Sequence, residues 1–115
     1  MIFVVDDDAI MAECITRAIG RDDVKVFANA IETMGAISGG EIPEMIFLDI
    51  LLDGPDGFTF LNEMISYSDT ANIPIVIVSS LDFNKDLSAY GVVGVLNKDT
   101  MKPEDIKKYV EEYCK

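Results

Sequence analysis

Aspartates, a serine and a lysine follow separate short apolar runs in this 115-residue sequence, and together they could carry out phosphoryl chemistry. Asp6 and Asp7 directly follow one run, Asp49 follows a second, and Ser79 and Lys98 come at the ends of two others. Carboxylates in a small volume repel one another, and a hard divalent cation such as Mg²⁺ relieves that repulsion. A carboxylate can attack phosphorus, while a lysine and a hydroxyl can hold phosphoryl oxygens.

The composition excludes several other kinds of site. The chain has no histidine, so it cannot form a Ser-His-Asp triad, a Cys-His pair or a histidine-ligated zinc or haem site. Cys14 and Cys114 make neither a zinc pattern nor a disulfide framework, and two isolated thiols suit a reducing cytosol. The formal net charge of −12 disfavours binding to nucleic acid or to an anionic membrane surface. We therefore expect a cytoplasmic domain with no membrane segment that binds no nucleic acid by itself.

Five apolar runs alternate with stretches of helical period, and this alternation predicts the elements that position the polar residues. The runs are continuously apolar, which is typical of parallel strands whose two faces are both covered by helices. Parallel strands joined by right-handed crossovers bring their carboxyl ends to one edge of the sheet, where ligands bind. We therefore expect a single α/β domain over residues 1–115, with strands over residues 2–5, 24–27, 45–48, 73–78 and 92–96.

Capping residues predict where the five expected helices begin and end. Asp8 is a good N-cap for the first helix and Gly20 a good stop after it. Asn29 could cap the second helix, and Pro103 suits the first turn of the last. A short fourth helix is expected over residues 83–90.

The apolar spacing within the helical stretches predicts which side chains enter the core. It assigns Ile10 and Cys14 to the inward stripe of the first helix and Ile31 to that of the second. Tyr109 and Tyr113 face inward on the last helix and are better explained by packing than as a platform for a ligand.

The polar residues stand in motifs that resemble the receiver domain of bacterial two-component response regulators. The resemblance covers essentially the whole chain and implies a flavodoxin-like, doubly wound sheet of five parallel strands in the order 2-1-3-4-5, with five helices. Each motif alone would be weak, but four in order at strand ends form a specific signal. They are residues 4–8 (VVDDD), 43–50 (PEMIFLDI) with Asp56-Gly57, 75–80 (IVIVSS) and 96–99 (LNKD).

The resemblance implies a metal-dependent phosphorylation site. Asp49 matches the phospho-acceptor, and Asp6 and Asp7 match the acidic pair that holds Mg²⁺ with it. The backbone carbonyl of Leu51 matches a further metal ligand. The bound cation would neutralise charge during phosphoryl transfer, which needs positioning more than covalent help.

The resemblance also assigns the remaining site residues and the partner. Ser79 matches the switch hydroxyl, which bonds a phosphoryl oxygen, and Lys98 matches the lysine that pairs first with Asp49 and then with the phosphoryl group. Because the chain has no histidine, the phosphoryl group must come from a sensor histidine kinase, a histidine phosphotransfer protein or a small donor such as acetyl phosphate. The expected protein is a signalling switch of a phosphorelay, a phosphoprotein that catalyses only its own phosphorylation and slow dephosphorylation.

Two departures from the family concern the switch. Val95 stands where the family usually has an aromatic residue, which leaves open how phosphorylation is coupled to the outer face. Asp99 follows Lys98 in place of the usual proline, so we expect no cis peptide bond there.

Two further departures concern the segment before the fifth strand and the lifetime of the phosphorylated form. The stretch from Ser79 to Lys98 is about three residues shorter than the resemblance leads us to expect, nearly one helical turn. We therefore expect a short or irregular fourth helix, and dimerisation stays open. Leu51 and Leu81 replace side chains that help orient the hydrolytic water, which predicts slow self-dephosphorylation.

Three other functions compete with the phosphorylated switch. A degenerate receiver would serve as a protein–protein interaction module without phosphotransfer. A haloacid-dehalogenase-like phosphatase would need an aspartate where Leu51 stands, and a flavodoxin-like small-ligand domain would need a phosphate-binding loop where three aspartates stand. The output is expected on an effector domain outside these residues or on a downstream protein.

Overall fold

Five parallel strands form the central sheet in the computed structural model, which describes residues 1–49, 56–80 and 87–114. The strand order is β2-β1-β3-β4-β5, and every neighbouring pair is parallel. The predicted parallel sheet and its strand order are therefore confirmed. The strands are β1 (Ile2–Val5), β2 (Val24–Phe27), β3 (Met45–Asp49), β4 (Ile75–Ser79) and β5 (Val92–Asn97).

Four α-helices and one 3-10 turn connect the strands within the described ranges, so the expectation of five helices is corrected there. The predicted helix over residues 83–90 is represented by the 3-10 turn Ser88–Tyr90, and residues 83–86 lie outside the described ranges. Gly91, with φ of 81°, ends this turn immediately before β5. None of these helices combines the length and the apolar character that a membrane span requires. The α-helices are α1 (Ala9–Ile19), α2 (Ala30–Ser38), α3 (Asp56–Ser66) and α4 (Pro103–Tyr113).

The predicted helix caps are confirmed. The Asp8 carboxylate accepts the backbone N–H groups of Ile10 and Met11 at the start of α1. Gly20 ends α1 with φ of 69°, in the left-handed region that favours glycine. The Asn29 side chain accepts from the backbone N–H of Glu32 at 2.9 Å, which satisfies one donor at the start of α2.

Two apolar clusters cover the two faces of the sheet, as the continuously apolar strands predict. One cluster packs β1, β3 and β4 against α2 and α3, with buried residues that include Phe3, Ile46, Leu48, Phe60 and Leu61. The other packs the same strands against α1 and α4, with buried residues that include Ile2, Phe47, Ile15, Ile106 and Val110. The central strands β1, β3 and β4 are thereby shielded from water on both faces, which leaves the carboxyl edge of the sheet as the expected place for a ligand.

Four side chains assigned to the core from the apolar spacing are exposed instead, one of them Tyr113 on α4, which is 37% exposed. Ile10 is 76% exposed and Ile31 82% exposed, and Cys14 is also exposed. At 3.6 residues per turn, Ile10 lies about 140° around α1 from the buried Ile15, so it falls outside the buried arc. Ile31 is exposed for the same reason, since it lies about 160° around α2 from the buried Thr33.

Candidate functional site

The carboxyl edge of the sheet brings the chemical residues together. Asp6 directly follows β1, and Asp49 is the last residue of β3, the strand beside it. Ser79 is the last residue of β4 and pairs in register with Asn97, the residue before Lys98. Four parallel strands thus deliver the two carboxylates, the hydroxyl and the ammonium group to one edge.

Three carboxylates at this edge lie close enough to share a cation. One oxygen from each of Asp6, Asp7 and Asp49 lies within 4.8 Å of the other two. The side chains of Asp6 and Asp49 are buried, with Asp49 6% exposed, and Asp7 is exposed. Carboxylate oxygens are ligands that a hard cation such as Mg²⁺ prefers. The exposed side of the cluster leaves room for the several waters that Mg²⁺ usually keeps.

Asp6 holds one oxygen in a backbone network and leaves the other unsatisfied. Its Oδ1 accepts the backbone N–H of Asp8 at 2.9 Å, and its own N–H donates to the carbonyl of Phe27 at 2.9 Å. Its Oδ2 is buried and has no hydrogen-bond partner among the described residues. The nearest cation, Nζ of Lys98, lies 3.4 Å away, so this oxygen takes part in an ion pair without a hydrogen bond. A buried carboxylate oxygen that accepts no hydrogen bond is costly. A cation held by this oxygen and its neighbours would remove that cost, so the site fits a metal.

Lys98 extends over the same carboxylates. Its Nζ lies 3.1 Å from Oδ2 of Asp49 and 3.4 Å from Oδ2 of Asp6, and its side chain is only 16% exposed. Its backbone N–H donates to the carbonyl of Ser79 at 2.8 Å, which ties the lysine to the end of β4. One ammonium group therefore faces two buried carboxylates.

The pKa values of Asp49 and Lys98 are both raised above their ordinary values. Burial raises the pKa of the Asp49 carboxyl, and the negative charge of Asp6 adds to this, while Lys98 opposes it. Burial alone would lower the pKa of Lys98, but its hydrogen bond to Asp49 and the charges of both aspartates outweigh burial and raise that pKa. Lys98 thus stays protonated at neutral pH, while ionisation of Asp49 is disfavoured.

A turn that starts at Asn97 holds Lys98 in place, and the sequence analysis missed it. The side-chain oxygen of Asn97 accepts a hydrogen bond from the backbone N–H of Asp99 at 2.8 Å. The backbone carbonyl of Asn97 accepts one from the backbone N–H of Met101, also at 2.8 Å. All described peptide bonds are trans, as expected from the absence of proline after Lys98. Asparagine is a frequent turn former, so its position beside the lysine was the available signal.

Of four further residues named in the sequence analysis, Ser79 and Val95 lie within the described residues and two leucines do not. Ser79 is buried at the end of β4, where its carbonyl anchors Lys98. Val95 is 39% exposed on β5. Leu51, whose carbonyl is a predicted metal ligand, and Leu81 lie outside the described residues. Their predicted roles stay predictions.

Comparison with known protein families and curated proteins gives one family for most of the chain. The family model of the response regulator receiver domain matches residues 2–111. A similar curated protein is protein-glutamate methylesterase/protein-glutamine glutaminase 3 of Rhodopseudomonas palustris strain BisB18, which is 34% identical over 70% of this chain. The match covers 22% of that protein, so the chain spans about a fifth of this relative's length.

Solved structures share the fold. The receiver domain of NtrX from Brucella abortus superposes with a TM-score of 0.82 at 23% identity, over 98% of this chain and 97% of that one. The Mn²⁺-bound form of the response regulator Rcp1 superposes with a TM-score of 0.72 at 20% identity, over 96% of this chain and 88% of that one. At these identities the two structures establish a common fold.

Proposed function

We propose, because this chain belongs to the response regulator receiver family, that it accepts a phosphoryl group on Asp49 and then changes conformation to signal to another protein or domain. The observation that carries the proposal is the cluster of Asp6, Asp7 and Asp49 with Lys98 at one edge of the sheet. Three carboxylates and a lysine in one small volume are a poor arrangement for stability, which favours a functional reason for it.

In the proposed reaction, an Asp49 carboxylate oxygen attacks the phosphorus of a phosphohistidine on a partner. A P–O bond forms as the P–N bond breaks, and the imidazole leaves with the electron pair of that bond. Lys98, 3.1 Å from Asp49, holds a phosphoryl oxygen of the product through its ammonium group. The Ser79 hydroxyl, at the end of the adjacent strand, holds another.

We propose Mg²⁺ as the cofactor of this site. Asp6, Asp7 and Asp49 would hold it, with the unsatisfied Oδ2 of Asp6 as one ligand. When bound, the cation neutralises negative charge that builds up on the phosphoryl oxygens. The Mn²⁺-bound form of Rcp1, which shares this fold, supports a divalent cation in such a domain.

The partner and the output of the switch follow from what the chain lacks and what it resembles. Because the sequence has no histidine, the donor is a sensor histidine kinase, a histidine phosphotransfer protein or a small acyl phosphate. The chain spans 22% of a methylesterase relative, which supports an output on a further domain or on a separate protein. With its acidic surface and two free thiols, the domain would act in the cytoplasm.

Incubation with acetyl phosphate and Mg²⁺, followed by intact mass measurement, tests the proposed function. The unmodified sequence should gain one phosphoryl group, and Asp49→Asn should gain none. Asp69→Asn, which changes an exposed aspartate outside the site, is the control and should be phosphorylated like the parent. If neither acetyl phosphate nor a phosphorylated kinase domain modifies the parent chain, the domain acts as an interaction module without phosphotransfer.

A further inference from the structure

An apolar groove between α2 and α3 is a second feature that could bind another molecule. Each helix contributes three residues to the groove, at positions i, i+1 and i+4. The groove encloses about 220 Å³, less than the roughly 300–1,000 Å³ of most small-molecule pockets. It is therefore better suited to side chains of a docked protein segment. Its lining residues are Ala30, Ile31, Met34, Thr59, Phe60 and Glu63.

Ile31 is the most exposed apolar residue of this groove. It is 82% exposed, while Phe60, on the opposite wall, is 2% exposed and belongs to the core beneath. The groove thus has a buried floor and an apolar rim. A partner side chain placed there would cover Ile31 without any change in the core.

The two helices that form the groove carry acidic residues and no lysine or arginine. From Val26 to Asn84 the sequence contains no lysine or arginine but nine aspartates and glutamates. The rest of the chain carries nine basic residues against twelve acidic ones. Glu32 on α2 and Glu63 on α3 are both exposed. Other acids of this stretch pair with cations elsewhere: Glu41 with Lys25, and Glu44 with Arg21. The local negative charge at the groove therefore comes from Glu32 and Glu63.

We propose that the groove between α2 and α3 docks a basic amphipathic helix of a partner protein. The apolar stripe of such a helix would cover Ile31 and Met34, and its lysines or arginines would face Glu32 and Glu63. A second copy of this chain does not fit, since two molecules with a net charge of −12 would repel each other. None of the residues of the carboxylate cluster lines the groove.

Titration with a designed peptide tests this proposal. The probe is a helical peptide of leucines at i, i+3, i+4 and i+7 with lysines at the other positions, followed by amide chemical shifts of the isotope-labelled chain. We expect shifts in α2 and α3, and no binding of the same peptide with glutamates in place of lysines. Ile31→Lys should weaken the binding at least about tenfold, because it removes apolar contact area and adds a repelling charge.

Ile10→Lys is the matched control. Ile10 is 76% exposed on α1, on the other face of the sheet, so this variant should bind the peptide within about twofold of the parent. Selective loss in Ile31→Lys with shifts at α2 and α3 supports the groove. Shifts centred on α1 or α4, equal losses in both variants, or no saturable shifts at millimolar peptide would overturn the proposal. Sedimentation that shows self-association abolished by Ile31→Lys would overturn it in favour of a second copy.

Discussion

The buried carboxylate oxygen of Asp6 is the clearest sign, among single residues, that this site is built to bind something. Lys98 can approach two carboxylates but makes its shorter contact with Asp49, and Oδ2 of Asp6 has no hydrogen-bond partner among the described residues. Without a bound metal ion, the site therefore holds more negative charge than the single ammonium group of Lys98 can balance. We expect stability and metal binding to be linked through Lys98.

Lys98→Met should lower the free energy of unfolding of the metal-free protein by about 2 kcal/mol, because it leaves two buried carboxylates without a counter-charge. Mg²⁺ should stabilise this variant more than it stabilises the parent, since no ammonium group competes for the same oxygens. Urea unfolding with and without Mg²⁺ measures both effects.

Lys107→Met is the control for that comparison, because it removes an exposed lysine of α4 far from the carboxylates in sequence. It should change stability by less than about 0.5 kcal/mol and leave the Mg²⁺ effect as it is. An equal loss of stability in the two lysine variants would contradict the proposed counter-charge role.

Local chemistry and continuous apolar runs were enough to predict most elements of the fold. Asp8 and Asn29 cap helices through neighbouring backbone N–H groups, and Pro103 suits the first turn of α4 through its fixed φ, so these roles could be predicted from a few residues of sequence. The strand positions were equally accessible, because a strand buried on both faces needs an unbroken apolar run. The carboxylate cluster followed because parallel strands bring their ends to one edge.

The errors arose where the outcome depends on how elements lie against each other. Apolar spacing gave too wide a buried arc for α1, because it does not show which part of the helix faces the sheet. The groove between α2 and α3 exists only once two helices lie side by side. The turn at Asn97 depends on the path of the backbone after β5, and the residue type alone indicates only that a turn is favoured there.

Gly94 of β5 and Tyr109 of α4 form a close contact between two elements. A Cβ atom at Gly94 would lie 2.6 Å from Cε1 of Tyr109, well inside van der Waals contact. The Tyr109 ring also stacks on Tyr113, with centroids 6.4 Å apart and 17° between the planes. The absence of a side chain at Gly94 therefore lets the tyrosine pack against the strand.

Gly94→Ala should lower the free energy of unfolding by about 1 kcal/mol, because the added methyl group displaces the Tyr109 ring. The same change in a Tyr109→Leu background should cost nothing, since the shorter side chain leaves room. A double-mutant cycle by urea unfolding gives the coupling. Gly35→Ala on α2, where a Cβ meets no atom within 4 Å, is the control and should stabilise slightly. Equal effects of Gly94→Ala in both backgrounds would exclude this contact as the cause.

A cluster of charges at the amino edge of the sheet joins distant parts of the whole molecule. The Met1 amino group lies 2.8 Å from the carboxylate of Asp23 and 2.7 Å from that of Glu44. Arg21 contacts the same two carboxylates at 2.6 and 2.7 Å. The cluster thereby ties the start of β1 to the residues before β2 and before β3.

The ionisation of this cluster sets a pH window for its contribution to stability. Burial alone would lower the pKa of the Met1 amino group, but hydrogen bonds to Asp23 and Glu44 outweigh it and raise that pKa. The amino group and Arg21 hold the pKa of Glu44 below its ordinary value. The stabilising effect of Glu44 is present above the unfolded pKa of about 4.3 and is lost as the pH falls. The effect of the amino group is present below about pH 8 and is lost as the pH rises.

Glu44→Gln should therefore reduce stability most between about pH 5 and pH 8, by no more than about 1 kcal/mol because the cluster is partly exposed. Thermal unfolding across this range, at low and at high salt, measures the effect. Glu112→Gln, an exposed change on α4, should give a pH profile parallel to that of the parent. A Glu44→Gln profile that is also parallel to the parent would show that the cluster contributes nothing to folding.

Both helical layers of the molecule carry a net negative charge. Helices α1 and α4 on one face of the sheet carry three basic and five acidic residues, and α2 and α3 on the other face carry three acidic and no basic residues. A cationic molecule that diffuses toward this protein is therefore attracted to either face before it makes any contact, which raises the rate at which the two meet. This attraction should fade as dissolved salt shortens the Debye length.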